Sequence, residues 1–242
     1  MTTRIVISCE HASNAVPAAY RGLFTGEDGV LGTHRALDIG AAPLARRMAR
    51  AAGAPLHLGG VTRLLVDLNR SRGHRGLFSE FSRPLPRADR KRLLERHYRP
   101  YRDAVARDIE AGVARGGRVV HLSVHSFTPE LNGVARRCDL GLLYDPKRSR
   151  EKRLALAWQA LLRAERDWVV RRNYPYTGVQ DGFIPRLRKR FAERSYAGLE
   201  LEVNQRLVRG GRFPAALQRL LAGTFLSAVG RTVRADPRAA RR

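Results

Sequence analysis

Three apolar stretches of the chain carry titratable residues at or near their ends: Ile5-Val6-Ile7-Ser8-Cys9-Glu10-His11, Val119-Val120-His121-Leu122-Ser123-Val124-His125 and Leu199-Glu200-Leu201-Glu202-Val203-Asn204. Short β-rich runs separated by helical spacing predict parallel strands of an open α/β sheet. Such sheets place their chemistry at the carboxyl ends of the strands, so two histidines and a carboxylate pair are expected on one edge. Residues 36–52 put Leu37, Ala41, Leu44 and Met48 on one helical face, and Gly53 and Pro55 end that pattern. Residues 56–60 and 63–68 predict short strands, and 69–76 has loop composition. A long helix is expected over 86–115, interrupted near Pro100 and ended by Gly116-Gly117. After a turn-rich excursion at 126–133 come a strand at 139–144, a helix at 149–165 and a short strand at 168–171. Residues 173–178, with Pro175, exclude a helix interior, and a last helix is expected over 213–229.

A chain of 242 residues with 43% hydrophobic content supplies a core for one α/β domain, expected over residues 1–230. The formal net charge of +24 raises the question of nucleic-acid binding. Lys91, Lys147, Lys152 and Lys189 are the only lysines among 46 basic residues, and the arginines are spread through every helix instead of forming a stripe. With 7% aromatics and no RNA-binding or zinc-finger spacing, nucleic acid is not the expected partner. Residues 231–242 read as a basic, frayed tail. Cys9 and Cys138 lack CxxC spacing, and the start of the chain shows no signal-peptide pattern. No apolar run approaches the roughly 20 residues of a membrane span, so a cytoplasmic protein is expected.

Strand alternation places His125 on the face of His121 and Ser123, at the end of its run. A lone histidine there is ordinarily a satisfied core residue, but His11 holds the equivalent place on another strand. That pairing points to a divalent metal. His34, His57, His74, His97 and His121 show no such partner. Glu200 and Glu202 share one face of an apolar strand, roughly 6.6 Å apart at about 3.3 Å per residue. Buried carboxylates need cations or a metal. Salt bridging to arginine accounts for Glu200 alone, whereas Glu202, nearer the strand's end, is the catalytic candidate. Arg63 and the Asn69-Arg70 pair bracket Leu64-Leu65-Val66-Asp67-Leu68, where an arginine can grip a carboxylate or a developing oxyanion.

The segments Ser8-Cys9-Glu10-His11-Ala12-Ser13-Asn14-Ala15-Val16-Pro17, Gly32-Thr33-His34-Arg35-Ala36-Leu37-Asp38-Ile39-Gly40-Ala41, Val124-His125-Ser126-Phe127-Thr128-Pro129, Arg172-Asn173-Tyr174-Pro175-Tyr176 and Gly198 to Gln205 together resemble, in order, the N-formylglutamate amidohydrolase family. That family is related to the zinc carboxypeptidases and to aspartoacylase and succinylglutamate desuccinylase. The resemblance implies a three-layer sandwich with a mixed, mainly parallel sheet. It also implies one Zn2+ per chain and hydrolysis of the amide bond of an N-acyl amino acid. By the same resemblance His11 and His125 are metal ligands, Glu202 the base that activates water, and Arg63 the oxyanion partner. Asn69, Arg70, Asn173 and Tyr176 would hold the amino-acid portion, Asp67-Leu68-Asn69-Arg70 looking like the carboxylate-binding segment of the acylases. The carboxypeptidase His-x-x-Glu motif has Asn14 at its Glu position here, so the third ligand is expected to be Asp38, with Glu10 as second choice. The competing expectation is an inactive basic module of the same fold that binds nucleic acid or another polyanion.

Overall fold

The computed structural model describes residues 2–165 and 168–234. Its centre is a six-stranded sheet built from β1 (Thr3–Cys9), β2 (Leu56–Leu58), β3 (Arg118–Phe127), β6 (Leu140–Leu143), β7 (Val170–Arg172) and β8 (Tyr196–Asn204). The spatial order is β2-β1-β3-β8-β6-β7. The pairs β1/β2, β1/β3, β3/β8 and β6/β7 are parallel, and only β6/β8 is antiparallel, so the sheet is mixed and mainly parallel. A separate two-stranded hairpin, β4 (Glu130–Leu131) and β5 (Val134–Ala135), turns at Asn132-Gly133, both with positive φ.

Helices cover both faces. On one face α1 (Ala41–Ala52), α4 (Ser149–Glu165) and α6 (Ala215–Arg234) pack on Ile7, Leu122, Val124, Leu140, Leu199 and Leu201. On the other, α3 (Arg99–Ala114) and α5 (Phe183–Arg190) pack on Val6, Val119 and Tyr196. Because successive strand residues point to opposite faces, Ile7, Leu122, Val124, Leu199 and Leu201 turn to the first layer, while Val6, Val119 and Tyr196 turn to the second. Ser8, His121, Ser123, His125, Glu200 and Glu202 are left on the second. That second face is a buried polar network. Ser8 Oγ lies 2.8 Å from His121 Nε2, and His121 Nδ1 lies 3.0 Å from the Tyr196 hydroxyl. His121 is thus a satisfied core histidine, as expected.

Three expected elements differ. Residues 63–68 are not a strand: Arg63 N–H donates to Ala36 O, and Asp67 N–H donates to Leu77 O. Leu64, Leu65, Val66 and Leu68 are buried in two small side cores, and a short apolar run reads alike in either setting. The helix expected from residue 36 begins at Ala41, because Gly40, at φ +83°, turns the chain after Asp38. A side chain at Gly40 would also lie 2.9 Å from the Phe213 ring. The long helix restarts beside Pro100, as expected: α2 (Arg87–Leu93) passes through a π-turn, Leu94–Tyr98, and α3 begins at Arg99. Arg99 N–H reaches back five residues to Leu94 O, and Pro100, which has no N–H to give, falls in the first turn that follows. Arg231–Arg234, expected in the frayed tail, form the last turn of α6, and residues 235–242 lie outside the described residues. No described helix is long and apolar enough to cross a membrane.

Candidate active site

His11 follows β1, Asp38 sits in the turn that Gly40 closes, and His125 lies near the end of β3. These three residues offer one ligand atom each, all within 4.8 Å of one another. Asp38 Oδ2 is 3.3 Å from His11 Nδ1 and 2.7 Å from His125 Nδ1. The other nitrogens face outward onto carboxylates. His11 Nε2 is 2.8 Å from Asp67 Oδ1, and His125 Nε2 is 3.0 Å from Glu10 Oε2 and 2.9 Å from Ser123 Oγ. Ser123 also donates to Glu10, and Tyr101 OH donates to Glu10 Oε1 at 3.0 Å.

Carboxylates behind two imidazoles favour a proton on Nε2, and a cation that displaced the Nδ1 protons would meet both Nδ1 lone pairs and Asp38 Oδ2 at one point. That donor set suits a divalent cation. Glu10, the second choice as third ligand, is on the far side of His125, and Asn14 donates to Leu31 O at 2.9 Å, away from the cluster. Burial opposes ionisation of Asp38 and Glu10. The charges and hydrogen bonds of His11 and His125 nevertheless hold Asp38 well below the ordinary carboxylate range, and His125 and Ser123 do the same for Glu10. For His125 burial works against the proton, but Asp38 and Glu10 raise its pKa well above that of a free imidazole.

Glu202 stands beside His125 in the β3/β8 register, and Glu200 beside Ser123. Both carboxyls are buried. Burial pushes Glu202 up to about 8, with Asp38 and Glu200 adding to the rise and His125 and Arg63 opposing it. Its Oε2 has no hydrogen-bond partner among the described residues. Burial likewise raises Glu200, which lies 4.0 Å from His125 Nε2 and makes no arginine salt bridge among the described residues.

Eight of the nine expected site residues line one cavity of about 110 Å³: His11, Asp38, Arg63, Asn69, Arg70, His125, Tyr176 and Glu202. Arg63 Nη2 donates to Asp67 Oδ2 at 2.8 Å, and Nη1 is 3.5 Å from Asp38 Oδ1. Arg70 Nη1 donates to Asp181 O at 3.0 Å, and Asn69 Oδ1 accepts from Phe183 N–H at 2.8 Å. The Tyr176 hydroxyl accepts from Arg136 Nη1 at 3.0 Å. Asn173 does not line the cavity. With φ +50° it uses Oδ1 to accept from Tyr144 N–H at 3.0 Å and Gly178 N–H at 3.1 Å, shaping the loop that delivers Tyr176 and Thr177. Sequence reasoning gave Asp67 only a place in a substrate-binding segment, whereas its carboxylate supports His11 and pairs with Arg63. The signal was a lone acid inside an apolar run. Gln180 and Asp181 also line the cavity and came with no pattern at all.

Gly141, on β6, pairs with Glu202 on β8. A Cβ there would lie 2.1 Å from Tyr174 O and 3.1 Å from Glu202 Cβ. Gly141→Ala is therefore expected to destabilise the protein by about 2 kcal/mol or more, as overpacking of a tight core does. Denaturant unfolding of the variant checks this, and a loss below about 0.5 kcal/mol would show that the loop yields freely.

Fold and cavity together define an α/β protein whose imidazole and carboxylate groups converge at the carboxyl ends of β1, β3 and β8. The sequence profile described as N-formylglutamate amidohydrolase matches residues 3–209, and the chain belongs to that family. A solved gene product of Agrobacterium tumefaciens is 29% identical, with 94% of this chain and 90% of that chain covered and a TM-score of 0.81. The N-formylglutamate amidohydrolase of Ralstonia eutropha JMP134 shares the fold at 22% identity and TM-score 0.70, covering 96% of this chain and 94% of that chain. No curated protein matches the sequence.

Proposed function

We propose that the protein is a zinc-dependent amidohydrolase that cleaves the amide bond of an N-acyl amino acid resembling N-formylglutamate. The observation that carries this reading is the buried, unpartnered Glu202 Oε2 next to a cluster in which two Nδ1 atoms and Asp38 Oδ2 face one point. A buried carboxyl without a partner is costly unless the site supplies one in use. His11, Asp38 and His125 would hold the ion, which when bound supplies Lewis acidity for attack of water on the acyl carbon.

The remaining work falls to side chains. Glu202 accepts a proton from the attacking water and returns it to the departing amine nitrogen as the carbon–nitrogen bond breaks. Arg63 offers positive charge for the developing oxyanion, and Asp67 and Glu10 keep the imidazoles oriented. Asn69, Arg70 and Tyr176 contact the amino-acid portion. Asn173 acts through the loop it shapes. The basic-module alternative has no use for a buried, unpaired Glu202. The reading places the enzyme in the cytoplasm, supported by Cys9 and Cys138 being buried and unpaired, and treats residues 1–230 as one catalytic domain. Elemental analysis with an amidase panel of N-formyl, N-acetyl and N-succinyl amino acids tests the proposal. About one zinc per chain and turnover of at least one acidic N-acyl substrate are expected, and a metal-free, inactive protein after zinc reconstitution would overturn it.

Arg70 supplies a sharper test of substrate class. If its planar fork grips a substrate carboxylate, lysine does not replace it, and Arg70→Lys raises KM for N-formylglutamate while an amide-capped analogue lacking that carboxylate is unaffected. Comparing kcat/KM for both substrates in both proteins measures the coupling. A value below about 0.5 kcal/mol removes Arg70 from the recognition set.

A further inference from the structure

Between α3 and α5 runs a groove of about 860 Å³, separate from the active-site cavity and floored by Ser71-Arg72-Gly73. Arg72, Arg99, Arg102, Arg186, Lys189 and Arg190 line it against a single acid, Asp103. Arg190 is paired with Glu110 at 2.9 Å, but Arg72, Arg99, Arg186 and Lys189 are exposed and have no carboxylate partner among the described residues. Arg102, only 8% exposed, is the unusual one. It donates to Leu68 O at 2.9 Å and Arg70 O at 3.1 Å and lies over the Phe183 ring at 4.1 Å and the Tyr98 ring at 4.8 Å. The half-buried Arg148 and Arg188, by contrast, share the Glu151 carboxylate at 3.1 and 2.9 Å. Burial, with Arg186 adding its own charge, holds the Arg102 pKa below the usual arginine value.

A buried cation without a carboxylate partner among the described residues, facing a cleft lined by four more such cations, concentrates positive potential there. Tyr98 and Phe183 lie buried against Arg102, so they leave no open faces for stacking bases, which removes the main device of single-strand nucleic-acid sites. The volume is that of a small-molecule site. We propose that this groove binds a small multivalent phosphate anion, clamped by Arg99, Arg186 and Lys189 over Arg102. The anion can be inorganic or the polyphosphate tail of a nucleotide, since the groove offers a base no stacking face. The site is independent of the catalytic reading, because none of these residues belongs to the active-site cavity.

Isothermal titration of the full-length, zinc-reconstituted protein with sodium tripolyphosphate at near-physiological salt tests the proposal. One saturable site is expected, with ATP binding within about threefold of tripolyphosphate, as a phosphate-only contact requires. Arg99→Ala/Arg186→Ala and Lys189→Ala should each weaken binding, the double variant by at least about tenfold, while hydrolytic activity and circular dichroism stay at wild type. The double variant Arg46→Ala/Arg50→Ala, on α1 of the opposite layer, removes the same charge and should leave binding within about twofold. The proposal fails if no saturable binding occurs, if the α1 variant weakens binding equally, or if a single-stranded oligothymidylate displaces tripolyphosphate at lower concentration.

Discussion

Glu202→Gln is expected to lower turnover of an N-acyl amino acid by at least about a hundredfold while zinc content stays at the wild-type level. Glutamine keeps the size of the side chain and its place beside His125, and removes only the ability to accept a proton. Loss of metal, or turnover within about tenfold of wild type, would reassign Glu202. The same substitution has a signature in metal-free protein. Folding raises the Glu202 pKa from its ordinary 4.5 to about 8, chiefly by burial. Between those values the unfolded chain has released a proton that the folded chain retains, so stability falls as pH rises through the window. Below it neither state is ionised and the group costs nothing. Metal-free Glu202→Gln should therefore match metal-free wild type near pH 4 and exceed it near pH 9 by on the order of a few kcal/mol. Urea unfolding at the two pH values measures the difference, and a pH-independent offset would contradict the assignment.

His11→Ala and His125→Ala should each abolish stoichiometric zinc. Two remaining ligands leave the ion weakly held, and each variant also strands a buried carboxylate, Asp67 or Glu10, without its imidazole. Added zinc should raise the Tm of wild type, since a ligand at a thousand times its Kd contributes about 4 kcal/mol, and should leave both variants unmoved. Full zinc occupancy in both would place the metal elsewhere. Asp67→Asn is the milder companion, expected to retain zinc at reduced affinity because it disturbs only the group behind His11.

The parts of the site that ride on strands were legible in the sequence. His11, His125 and Glu202 end or nearly end apolar runs, and two-residue alternation sets His125 with His121 and Ser123 on one strand and Glu200 with Glu202 on another. Parts carried by loops were not. Asp38 stands in a turn whose shape depends on Gly40 and its contact with Phe213, so nothing local separated it from Glu10 or Asn14 as a ligand. Residues 63–68 misled because burial alone, without a ladder, produces the same apolar run as a strand. Asn173 resembled a substrate contact, yet its amide oxygen is spent on two backbone N–H groups. Only the tertiary arrangement distinguishes a loop that touches the ligand from one that positions its neighbours.

The register that sets His125 against Glu202 also makes the site a clock for folding. Asp38 meets His11 across 27 residues of sequence but meets His125 across 87, so tight metal affinity cannot precede the long-range pairing of β1 with β3. Contacts of such separation are closed slowly and late. In stopped-flow refolding with a zinc-sensitive dye, uptake of the ion should lag behind the burst of helical ellipticity and coincide with the last cooperative phase. If the site holds the proposed ion, that ion would be acquired after the sheet has assembled, by loading of a finished fold instead of templating.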